Sequence, residues 1–103
     1  VSTARATVEH LLEQLEPLPV RVRAMFGEYA LYCDEKVVAL VCDDTLFLKP
    51  APASDGLPEA PPYPGAKPYR VVDRVAIEDV ERLQALVRAT ADALPVPKPR
   101  RAR

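Results

Sequence analysis

Met25-Phe26-Gly27-Glu28-Tyr29-Ala30-Leu31-Tyr32, with Val37-Val38-Ala39-Leu40-Val41 and Leu46-Phe47-Leu48-Lys49 close behind it, is the stretch that decides the fold. Runs of Tyr, Leu, Val and Phe are interrupted only by Asp34-Glu35 and Asp43-Asp44. Such runs, short and bounded by acidic turn pairs, predict strands over residues 28–33, 36–42 and 45–49. Upstream, Val20-Arg21-Val22-Arg23-Ala24-Met25 alternates apolar and basic residues, the period of a half-buried strand, and adds a neighbour. Gly27 marks a bend or a close backbone approach between the two. The reading is an antiparallel meander.

A two-residue hairpin at Asp34-Glu35 sets Cys33 against Lys36, Leu31 against Val38 and Tyr29 against Leu40, with Cys42 opposite Gly27. The cysteines then lie about 20 Å apart along the ladder, too far for a disulfide. In this register Tyr29, Leu31, Cys33, Val38, Leu40, Cys42, Phe47 and Lys49 share one face. Ala30, Tyr32, Val37, Ala39, Val41, Leu46 and Leu48 share the other. Both faces are apolar, whereas a sheet solvated on one side alternates apolar with polar. Each therefore needs a cover: a helix on the side of Ala30 and Ala39, and the proline loop, the other helix or a second subunit on the other.

Outward from the meander, residues 3–16 predict an amphipathic helix with Val8, Leu11, Leu12 and Leu15 on its buried stripe and Ser2 or Thr3 as cap. Pro17 and Pro19 end it. His10 falls beside the stripe and reads as a solvated surface histidine. Residues 50–68 hold seven prolines with Gly56 and Gly65, which excludes a helix or central strand and predicts an exposed, partly mobile loop. Within it, Tyr63 is expected to anchor by burying its ring. Tyr69-Arg70-Val71-Val72 predicts a last strand. A closing helix is expected over 78–94, with Glu78, Asp79 and Glu81 in its first turn and Val80, Leu83, Val87, Ala91 and Leu94 buried. Pro95 stops it. The expected organisation is one domain over residues 1–95 and a flexible basic tail over 96–103.

The 103 residues carry 14 Lys and Arg against 15 Asp and Glu. Four of the 14, Lys98, Arg100, Arg101 and Arg103, lie in the last nine residues, so the rest holds 10 bases against all 15 acids, a net of −5. An acidic body lacks the basic footprint usual for a nucleic-acid-binding domain. No apolar run reaches the ~18 residues of a membrane span, and the first residues lack a signal-peptide pattern. A soluble, cytoplasmic protein is the expectation.

Chemistry finds little purchase. Gly27, Gly56 and Gly65 are isolated, so no phosphate-cradling loop forms. The serines Ser2 and Ser54 have no His-Asp set beside them. Cys33, Cys42 and the single His10 match no zinc spacing. Lys36 alone sits where it would lower a thiol pKa, and a structural thiol is the better reading of Cys33. No catalytic, cofactor or metal residue is assigned. The candidates that remain are surface: Arg21, Arg23, Lys49, Lys67 and Arg70 beside Tyr29, Tyr32 and Tyr69, a basic rim with aromatics. The competing reading, a solvated edge strand whose charges deter aggregation, carries more weight given the acidic body.

The block Val22-Arg23-Ala24-Met25-Phe26-Gly27, then Tyr29-Ala30-Leu31-Tyr32, Ala39-Leu40-Val41 and Leu46-Phe47-Leu48-Lys49, resembles the N-terminal domain of the TfoX/Sxy family of bacterial competence regulators, over roughly residues 8–94. Tyr63, Pro68, Tyr69, Leu83 and Leu86 are further landmarks. Glu28 and Ala30 depart from it, standing where the family commonly has glycine, and Asp34-Glu35 replaces its Asp-Gly turn. The resemblance implies an α+β fold of the secretion-chaperone type, two layers, with a single antiparallel sheet of about five strands packed on N- and C-terminal helices. It implies a non-catalytic regulatory or protein-interaction module, linked to transcription or competence, with an unknown protein partner or a homodimer. The interaction candidates are Arg21, Arg23, Phe26, Gly27, Tyr29, Tyr32, Lys49, Tyr69 and Arg70. The alternative is a nucleic-acid-associated regulator using the tail (Lys98, Arg100, Arg101, Arg103) and the Arg21/Arg23 strand.

Overall fold

A computed structural model describes residues 3–25 and 27–94. Phe26 and the expected basic tail lie outside the described residues. Helix α1 (Arg5–Leu15) leads into strands β1 (Val20–Met25), β2 (Glu28–Cys33), β3 (Lys36–Cys42) and β4 (Thr45–Leu48). A single 3₁₀ turn (Pro52–Ser54), β5 (Glu59–Ala60), β6 (Tyr69–Val72), α2 (Arg74–Glu78) and α3 (Val80–Ala93) complete the described chain. All strand pairs are antiparallel, in the order β1-β2-β3-β4-β6-β5. The architecture is the α+β one expected, with six strands because the proline-rich segment contributes the two-residue edge strand β5.

The hairpin turns fall where the acidic pairs stand. Asp34 and Glu35 have φ of 54° and 63°, Asp43 and Asp44 of 52° and 56°. Two left-handed central residues are the pattern of a type I′ hairpin, whose twist matches that of the strands. Cys33 faces Lys36 as expected. Beyond that the register changes: Leu31 pairs with Ala39 and Tyr29 with Val41, with an irregularity between Leu31 and Tyr32. Val38 is the extra residue of a β-bulge, and one extra residue reverses the facing of everything beyond it. The expected faces are corrected accordingly. Leu31, Cys33, Val38, Ala39, Val41, Leu46, Leu48 and Val72 form the helix-side core with Leu11, Leu15, Leu83 and Val87. Ala30, Leu40, Cys42 and Phe47 form a second cluster on the outer face, with Tyr32, Val37, Ala60, Tyr69 and Val71 packed against it. The cysteines are thus on opposite faces, both buried and both free.

Three helix expectations also change. Helix α1 is capped from a distance: its N-cap is Ala4, and the Ala4 N–H donates to Asp44 Oδ1 at 2.7 Å, as does the Thr7 hydroxyl at 3.0 Å. The closing helix breaks at Asp79 (φ −85°, ψ 85°), whose carboxylate accepts from Arg82 N, while Asp73 caps the short α2. The buried stripe is wider than expected, with Leu86 and Thr90 joining Leu83, Val87 and Ala91 inside, and Val80, at the first position after the break, is exposed. Gln84 Nε2 donates to the carbonyls of Gln14 (2.9 Å) and Glu16 (2.7 Å), satisfying carbonyls left free at the end of α1.

The proline-rich loop is less exposed at its start than expected. Ala51 and Ser54 are buried, and Ser54 Oγ donates back to the Ala51 carbonyl at 3.1 Å. Arg70 holds the loop by donating to the Leu57 carbonyl (2.9 Å) and to Asp55 (3.3 Å). The ring of Tyr63, expected to anchor, is 57% exposed, and Pro62 is the buried residue instead. The tight turn closed by Ala66 N to the Tyr63 carbonyl (3.1 Å), with Gly65 at φ 86°, turns the tyrosine outward.

Candidate functional site

The helices cover one face of the sheet; the other is covered only in part. Between its outer surface and the Pro62-Tyr63-Pro64 arm lies an open groove of about 740 Å³. Met25, Leu40 and Cys42 supply its apolar floor, Tyr63 one wall, and Glu28 and Asp43 an acidic end. Met25 is 42% exposed, so two large apolar side chains, Met25 and Tyr63, meet water at its rim.

Glu28 is held rather than free. Its Oε1 accepts from the Thr3 hydroxyl at 2.6 Å and from the Asp43 N–H at 3.1 Å. Thr3 in turn accepts from Asp44 N at 3.2 Å, and its own N–H donates to the Gly27 carbonyl at 3.1 Å. This network clamps the start of the chain across the β1–β2 and β3–β4 turns. Sequence reasoning missed it, and the glutamate standing at a family glycine position was the available signal.

The anticipated rim is not one patch. Arg21 lies 4.1 Å from the centroid of the Tyr32 ring and donates to Glu35 through Nη2 (2.8 Å) and Nε (3.2 Å). That pairing raises the Arg21 pKa and lowers that of Glu35. Arg23, opposite Ala30, follows it on the same outer face. Continuing the β4–β6 register by one step sets Lys49 against Tyr69, on that face but about 14 Å away across three strand spacings. Tyr29 packs against the helix-side core and also lines the groove, the one anticipated aromatic that reaches it among the described residues. Arg70 pairs with Leu48, on the helix side of the sheet, and is spent on Asp55, Glu59 and the Leu57 carbonyl. Gly27 (φ 82°) bends the β1–β2 turn.

A second cleft, about 560 Å³, runs between α1, α2 and the β3–β4 turn. Its histidine and carboxylates are occupied structurally, while Arg74 lines the cleft beside them. His10 Nε2 lies 2.7 Å from Glu78 Oε2, Asp73 caps α2, and Asp44 caps α1, which holds the Asp44 pKa below the usual carboxylate value. Both thiols are pushed up by burial. Lys36, the one group placed in sequence to lower a thiol pKa, donates to the carbonyls of Ala91 (2.8 Å) and Leu94 (3.3 Å) at the end of α3, and burial outweighs it at Cys33. Among the described residues no helix is long and apolar enough to cross a membrane.

Comparison with known proteins is consistent with this architecture. The family described as the TfoX N-terminal domain matches residues 10–94. A protein of Spirochaeta aurantia, described as an uncharacterized 12.7 kDa protein in the trpE 5′ region, is 49% identical over 108 residues, an alignment covering the whole of this chain and 93% of that protein.

Proposed function

The chain belongs to the TfoX N-terminal domain family, and from that premise we propose that it is a non-catalytic regulatory module that works by binding another protein. One observation carries the reading. The outer sheet face is apolar, only half roofed, and bordered by the exposed Met25 and Tyr63. An apolar floor beneath two exposed large side chains supports a seat for a partner's apolar group. Four of the carboxylates lining the clefts support the same reading, because Asp44, Asp73, Glu78 and Glu28 are engaged in caps, a histidine pair and the N-terminal clamp. Family membership supports a regulatory role, tied to transcription or competence.

The test is affinity capture of the tagged protein from its own cells after nuclease treatment, wild type beside a Met25→Ser/Tyr63→Ala double variant. Both positions are exposed, so folding is spared. A partner retained through nuclease and lost with the variant supports the reading. Capture abolished by nuclease assigns the protein to nucleic acid instead. Light scattering that shows a concentration-dependent dimer, broken by the variant, assigns the groove to a second copy.

A further inference from the structure

We infer that β1 is a docking edge for an extended, acidic segment of a partner protein, which adds to the sheet as a seventh strand; the inference rests on the protein-binding reading and supplies the partner's chemistry. The two edges of the sheet are built differently. The β5 edge is two residues long and bracketed by Pro58 and Pro61. Proline has no N–H, so that edge offers little to pair with. The β1 edge runs six residues without proline or glycine, in unbroken register with β2 from Val20↔Cys33 to Met25↔Glu28. Among the described residues no strand pairs with its outer row of N–H and C=O groups, which is a template guarded by charge.

That charge selects the occupant. Arg21 and Arg23 project on the outer face, while Val20 and Val22 are half-buried on the helix side. An antiparallel neighbour sets same-face residues opposite each other. A second copy of β1 can pair five residues in two ways. A two-fold axis through Val22 sets Arg21 against Arg23 twice, and one through Arg23 sets that arginine against itself. Like charges directly opposite destabilise the pair. The chain's own Lys98-Pro99-Arg100-Arg101 segment meets the same repulsion. A strand with carboxylates at alternate positions and apolar residues between them satisfies both rows. Arg21 already displays the contact: it holds the Glu35 carboxylate beside the Tyr32 ring, in a pair exposed on both sides and so open to exchange.

The probe is acetyl-(Val-Glu)4-amide, with acetyl-(Val-Lys)4-amide as its counterpart, titrated into the ¹⁵N-labelled full chain at low salt. The acidic peptide should slow hydrogen exchange of the β1 amides at least about ten-fold, bind about ten-fold more tightly than the basic one, and weaken as salt rises. An Arg21→Glu/Arg23→Glu variant should reverse the preference. Equal binding of the two peptides, or β1 protection arising from self-association alone, overturns the inference. Shifts confined to Met25, Leu40 and Tyr63 also overturn it, while leaving the groove reading intact. No response to either peptide overturns the edge alone, since the capture experiment judges protein binding separately.

Discussion

At the scale of single residues, polar side chains whose roles the sequence leaves open do structural work. Thr3 is 7% exposed, and its hydroxyl joins Glu28, Asp44 N and the Val41 carbonyl. Thr3→Val keeps the shape and removes every one of those bonds, leaving Glu28 short of a donor. We expect a loss of about 1–2 kcal/mol, read as a lower urea midpoint with unchanged slope. Lys36 is the same lesson in a cation. In sequence it is the one candidate for lowering the Cys33 pKa; in the fold its ammonium faces the last carbonyls of α3, the negative end of the helix dipole. Lys36→Met should cost about 1 kcal/mol in urea unfolding and leave native Cys33 as slow to alkylate as before.

At the scale of elements, strands β1 to β4 were legible within a residue, because period-two hydrophobicity and acidic turn pairs are local signals. The bulge at Val38 was not. Val37 and Val38 are alike in propensity, and only packing decides which is left over, so Tyr29 and Tyr32 fall on the faces opposite to those expected while Leu40 and Cys42 keep theirs. Nor was the cap of α1 legible: its acceptor, Asp44, lies 40 residues from Ala4. That cap has a pH signature. The Asp44 pKa is lowered in the fold, chiefly by the Ala4 N–H and then by Thr7. A depressed carboxylate contributes stability that is complete above its unfolded pKa and is lost as pH falls through the folded one. Thermal melts from pH 5 down to pH 2 should show this loss, and Asp44→Asn, which keeps an acceptor oxygen, should flatten that limb. The turns allow a gain as well. Glu35 holds φ 63° without the glycine such a position favours, and among the described residues its carboxylate makes only an exposed pair with Arg21. Glu35→Gly should raise Tm by a few degrees, about 2–5 °C by calorimetry.

At the scale of the whole molecule, the sheet is dressed unequally, and that inequality sets its motions. Helices α1 and α3 seal one side, where Cys33 is fully buried. The other side is roofed by a proline-rich arm over Cys42, which keeps 6% exposure at the floor of the groove. The apolarity of both faces was plain from the strands; which cover took which face depended on the loop's own path and on the bulge. Regions with few buried contacts open at lower free energy than the core, and such openings expose little surface. Lifting the Pro62-Tyr63-Pro64 arm should therefore uncover Cys42 while β3 stays paired, whereas Cys33 should require the helices to leave. In single-thiol variants labelled with an aromatic disulfide, Cys42 (in Cys33→Ala) should react first, at a rate nearly independent of urea. Cys33 (in Cys42→Ala) should react with the full urea dependence of global unfolding. Equal dependence at the two thiols would mean the arm moves only with the whole fold, and the groove would then be a fixed surface instead of an adjustable one.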